Sequence, residues 1–111
     1  MSLPDFNGHG DLPVGVHPAG MDEVVQRFGR GSNDRVSNAR NLRHIHELAK
    51  QTGGLQRFIV FGSFVTAKPD PNDVDVILVM ADGFQPDQAP IATRALFDHA
   101  VAQVRYNASI F

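Results

Sequence analysis

The run Val76-Ile77-Leu78-Val79-Met80-Ala81 is the longest unbroken apolar stretch in the chain. Branched side chains dominate it, and such residues favour a pleated strand over a helix. It is far too short to cross a membrane, so it predicts a strand inside a globular domain. Its lead-in alternates: Asp73 and Asp75 fall on one face, Val74 and Val76 on the other. The second half, apolar at every position, predicts a central strand covered on both faces. A strand of that kind needs sheet partners and a layer of helices, which restricts the chain to a small α/β or α+β domain.

The rest of the sequence supplies both. Leu55 to Phe61 reads as a second strand that stops at Gly62-Ser63, and Tyr106 to Phe111 as a third. The segment Lys68-Pro69-Asp70-Pro71-Asn72 is irregular, because two prolines bracket one residue. Met21, Val24, Val25 and Phe28 recur at helical spacing, with Gly29 placed to end that helix in a left-handed conformation. A longer helix is expected from about Arg35 to Thr52, its apolar stripe being Val36, Ala39, Leu42, Ile45, Leu48 and Ala49. Asp87 is suited to cap a third helix, with Pro90 in its first turn and Phe97, Ala100, Val101 and Val104 on its buried face. Residues 1–19, rich in proline and glycine, form an extended arm, and residues 20–111 form the domain. At 111 residues there is room for one core only.

Several functions are excluded or disfavoured. The chain has no cysteine, which rules out disulfides and thiolate-bound metal. Ten basic against twelve acidic residues give a net charge of −2, so no general basic field attracts nucleic acid. The N-terminus carries no secretion-like pattern, which points to the cytoplasm. His44 and His46 diverge on a helix and cannot share a metal; His17 is expected to dock the arm and His99 to flank the third helix. Arg27, Arg35, Arg40 and Arg43 read as a solvated helix face. Phe58, Phe61, Phe64 and Phe97 read as core or near-core residues, not a platform for stacking bases.

The chemistry sits elsewhere. An isolated Asp-x-Asp is ordinarily a solvated strand end. Here a strand ends in Gly62-Ser63, and nine residues later another starts with Asp73-Val74-Asp75. Residues i and i+2 of a strand share a face, so the two carboxylates project into one volume and repel. A hard divalent cation relieves that repulsion, Mg²⁺ (or Mn²⁺) being suited to few protein oxygens plus substrate phosphates. Gly62 lets a phosphate approach the backbone, Ser63 adds a hydroxyl donor, and one helical turn from Phe64 aims free N–H groups at it. Antiparallel pairing of the two strands would bring both halves to one sheet edge.

Apolar-Gly-Ser, a short spacer and Asp-apolar-Asp-apolar resemble the signature of the DNA polymerase β-like nucleotidyltransferase superfamily. More narrowly, Leu12 to His17 and Gly62-Ser63-Phe64-Val65-Thr66 resemble segments of a group of small bacterial nucleotidyltransferase-like proteins. The likeness is good over residues 12–80 and loose beyond. It implies a minimal nucleotidyltransferase fold, a small mixed sheet flanked by helices. It implies Asp73 and Asp75 as catalytic metal ligands, Gly62 and Ser63 on the phosphates of a nucleoside triphosphate, and transfer of a nucleoside monophosphate to a hydroxyl of protein or RNA. By analogy it also suggests a toxin-like protein partner. Active members carry a third acid on a later strand; the last strand here has none, Asn107 or Ser109 being weak substitutes. A non-catalytic, antitoxin-like relative that binds nucleotide or a partner protein is therefore the alternative.

Overall fold

The computed structural model describes residues 3–111. The protein is a small mixed α+β domain with a three-stranded sheet. Ser32 starts the main helix by accepting a hydrogen bond from the Arg35 N–H. This helix, α2, runs over Asn33–Gln51, preceded by α1 at Met21–Phe28. Ala39, Leu42, Ile45, Leu48 and Ala49 are buried as the helical spacing predicts, but Val36 is 45% exposed. In its place Arg35 and Asn38 turn inward.

Arg35 is not part of a solvated face. Its guanidinium donates to the carbonyls of Phe28 (2.9 Å), Phe64 (2.8 Å), Thr66 (2.7 Å) and Lys68. Four converging carbonyls satisfy a planar, forked donor set that a compact ammonium does not match. Burial weakens its hold on the proton, and Asp70 opposes that shift. Gly29 also departs from expectation. Its φ of −91° is right-handed, and glycine is needed there because a Cβ would lie 2.6 Å from the Val25 carbonyl and 2.7 Å from Ala39 Cβ.

The sheet has the order β1–β2–β3: β1 at Leu55–Phe61, β2 at Val74–Met80 and β3 at Ala108–Ile110. β1 pairs antiparallel with β2, Phe61 opposite Asp75; β3 pairs parallel with β2, Ser109 opposite Asp75. Val74, Val76, Ala108 and Ile110 face the helices and are buried with Leu42, Ile45 and Phe64. The opposite face is not covered as the apolar run implied: Ile77 is 36% and Phe61 38% exposed. Within the all-apolar half, Leu78 packs half-buried against the core, Val79 and Met80 are half-buried and Ile77 is exposed.

The third helix is broken. Pro90 keeps Ala89 extended (φ −74°, ψ 162°), and the segment forms 3₁₀ turns at Pro86–Gln88 and Ile91–Phe97. A new helix, α3, covers His99–Tyr106, with the Asp98 carboxylate capping the Val101 N–H at 3.1 Å. Restarting at Asp98 rotates the buried face: Ala102 and Tyr106 are buried, whereas Val104 is 90% exposed. Tyr106 therefore ends a helix instead of starting β3. The arm carries no helix or strand over residues 3–20, and Leu3, Phe6 and Leu12 pack against the core. Its first two residues lie outside the described part.

Candidate functional site

β1 delivers the chain to Gly62, whose φ of 78° and ψ of −161° belong to a region that only glycine occupies readily. The space beside it is not open. A Cβ at Gly62 would overlap the Asp75 carboxylate, which lies directly against the glycine backbone. The glycine thus makes room for Asp75, and the close approach expected of a phosphate there is taken by the protein's own side chain. Ser63 opens a single 3₁₀ turn, Ser63–Val65. The N–H groups of Ser63 and Phe64 and the Ser63 hydroxyl make no hydrogen bond among the described residues. The turn is held from behind: Thr66 Oγ1 donates to the Ser63 carbonyl at 2.7 Å, the Ala67 N–H donates to the Gly10 carbonyl at 2.8 Å, and Arg35 gathers the Phe64 and Thr66 carbonyls.

Asp73 sits just before β2 and Asp75 within it. β3 completes the cluster. Ser109, 9% exposed, donates from Oγ to Asp73 Oδ2 at 3.2 Å and accepts from Gln103 Nε2 at 3.3 Å. Burial, chiefly, and the neighbouring Asp73 charge raise the Asp75 carboxyl above its ordinary range, while hydrogen bonding from Ser109 pulls it back. The fold therefore brings Gly62, Asp73, Asp75 and Ser109 together, with Ser63 on the adjoining turn. Ser109 and Asn107 separate in role. The Asn107 amide donates to the Asn72 carbonyl (2.7 Å) and to Asn38 Oδ1 (3.2 Å), and its left-handed φ of 49° closes α3. Gln103 gave no signal in the sequence, since its place beside Ser109 depends on where α3 begins.

The donor chemistry fits a hard cation. Two carboxylates and one hydroxyl are all-oxygen ligands, a sparse set of the kind Mg²⁺ completes with water and phosphate oxygens. Among the described residues no group of three or more His, Cys, Asp or Glu side chains gathers that could hold a metal. The remaining candidates make their contacts with other residues. His46 packs edge-on against Phe58 with centroids 4.7 Å apart, and His44 packs against Tyr106 at 5.5 Å. Burial first, then Lys50, holds His46 below its ordinary value. His17 contacts the Pro13 carbonyl through Nε2 at 2.7 Å, and Lys50 pairs with Glu47 at 2.9 Å. Phe61 is not a core residue: it stands on the open sheet face beside Asp75, its ring 6.0 Å from that of Phe111.

No helix among the described residues is long and apolar enough to cross a membrane. A protein-family model matches residues 4–111, and it describes only a family of unknown function. No curated protein and no solved structure matches the chain.

Proposed function

Because the chain belongs to that family, DUF6932, its chemistry must be read from its own side chains, and we propose that it binds a nucleoside triphosphate with Mg²⁺ or Mn²⁺ and transfers a nucleoside monophosphate to a hydroxyl acceptor. One observation carries this reading: two carboxylates, one held above its ordinary range, meet beside a glycine–serine bend with free N–H donors. Asp73 and Asp75 would hold the cation, and Ser109 would orient Asp73 through its hydrogen bond. The bound cation would supply charge neutralisation for the phosphates. The N–H groups of Ser63 and Phe64 would bind terminal phosphate oxygens, and the Ser63 hydroxyl would add a third donor.

In the transfer the acceptor oxygen bonds to the α-phosphorus as the link to the β-phosphate oxygen breaks. Pyrophosphate leaves, and the hydroxyl proton passes to solvent. The acceptor is a protein or an RNA end. A nucleotide substrate implies the cytoplasm as the working compartment.

Ser109 favours a second reading. It occupies the strand position directly across from Asp75, where a third acid would complete the cluster, and it is neutral. With that replacement the site holds nucleotide without transferring it, and the domain acts on a protein partner in an antitoxin-like manner. Two measurements separate the readings. Mg–ATP at about 100 times its dissociation constant should stabilise the fold by roughly 2.7 kcal/mol. ATP labelled at the α-phosphate should mark an acceptor in a lysate. Label that disappears in the Asp73→Ala/Asp75→Ala variant supports transfer, and stabilisation without label supports the binding role. Label that persists in that variant rejects the site.

A further inference from the structure

The open face of the sheet carries an aromatic pair next to the carboxylates. Phe61 is 38% exposed and Phe111 62% exposed. Phe61 lies on β1 opposite Asp75, while the Phe111 N–H and carbonyl bond to Val76 and Leu78 on the other side of β2. Two strand spacings separate their backbones by roughly 10 Å, yet the ring centroids are only 6.0 Å apart. The rings therefore lean toward each other over β2, between Asp75 and Ile77. His99 backs the outer ring, its centroid 5.3 Å from that of Phe111. Large apolar rings left in water beside a charged cluster lose free energy that a flat partner can recover.

We propose that the base of the nucleotide stacks on Phe111, the more exposed ring, with Phe61 tilted 45° beside it as the wall of the platform, so that the protein takes purine and pyrimidine triphosphates alike. The inference rests on the nucleotide reading of the carboxylate site and names its substrate class. Three facts favour a base over another occupant. The platform is continuous with the phosphate-binding candidates, since Phe61 immediately precedes Gly62. Its distance from Ser109, two residues along β3 or roughly 7 Å, is comparable with the reach across a ribose. Its surface offers two apolar rings, with the exposed Ile77 on the strand between them. Stacking without edge contacts tolerates every base, because each has a π-face.

The experiment measures binding of Mg–ATP, Mg–GTP, Mg–CTP, Mg–UTP and Mg–tripolyphosphate to the full chain and its variants by calorimetry. The four nucleotides should bind within roughly tenfold of one another, and each more tightly than tripolyphosphate. Phe111→Ala should weaken every nucleotide by roughly 5- to 150-fold, the range that base–aromatic contacts span, and leave tripolyphosphate unchanged. Phe111→Tyr, which keeps the ring, should restore nucleotide affinity. Because Phe111 is largely exposed, its loss does not endanger folding. If nucleotides and tripolyphosphate bind alike and Phe111→Ala alters neither, the platform is overturned while the carboxylate–phosphate reading stands; the rings then serve another contact, such as a partner protein. If the wild-type chain binds neither class, both readings fall.

Discussion

Gly62 and Asp75 form a matched pair in which each constrains the other. The backbone at Gly62 is one that a side chain enters only at a cost of about 1–3 kcal/mol. Gly62→Ala should lose at least that much by denaturant unfolding, with a further loss from overlap with the Asp75 carboxylate. Asp75→Ala should remove the overlap but not the backbone strain, so the double variant should be more stable than the sum of the single changes. Asp75 also leaves a signature in the pH dependence. Its folded-state carboxyl is raised, so the folded form binds the proton more readily than the unfolded chain. Stability from this group is greatest when it is protonated, and it falls as pH rises from about 4 through the raised value. Asp75→Asn should therefore melt higher than the wild type at neutral pH, and the difference should vanish in acid. The two aspartates and the glycine–serine bend were legible in the sequence because strand alternation and turn chemistry are local. That Asp75 fills the space at Gly62, and that Ser109 reaches Asp73, depends on pairing between distant strands.

At the scale of elements, α2 does more than cover the sheet. Its first turn presents Arg35 to four carbonyls drawn from the end of α1 and the turn after Gly62. Arg35→Ala should destabilise the fold by about 3 kcal/mol or more, because several buried carbonyls lose their partner at once. Arg35→Lys should recover only part of this, since one ammonium cannot span the four. A urea titration followed by circular dichroism would show both. Periodicity located α2 and its stripe of Ala39, Leu42, Ile45 and Leu48. It missed Arg35, because a charged residue at the start of a helix ordinarily faces water, and only tertiary carbonyls make burial favourable. The third helix was misjudged for a similar reason. Asp87 and Asp98 are both competent caps, and Pro90 decides for Asp98 by holding Ala89 out of the α conformation, in extended backbone (φ −74°, ψ 162°).

The main helix layer lies against one face of a three-stranded sheet; on the other face Ser109 is buried, while Phe61 and Ile77 are exposed. This predicts unequal costs for chemically identical changes. Ile45→Ala, in the fully buried layer, should cost about 2–5 kcal/mol. Ile77→Ala, on the open face, should cost about 1 kcal/mol or less. Comparable losses at the two positions would mean that the second face is covered after all, as the uniformly apolar half of β2 suggested. Hydropathy could not separate these cases, because it records what a side chain prefers and not what lies above it. The short parallel strand β3 has a further consequence. β1 and β2 are joined by a modest connection and can meet early, but Ser109 reaches Asp73 only after the long excursion through the 3₁₀ turns and α3 is closed. Bringing such remote segments together costs entropy that local contacts do not repay. The hairpin therefore already holds Gly62, Asp73 and Asp75 together, and the Ser109 hydrogen bond to Asp73 is the contact expected to close last as the polypeptide folds.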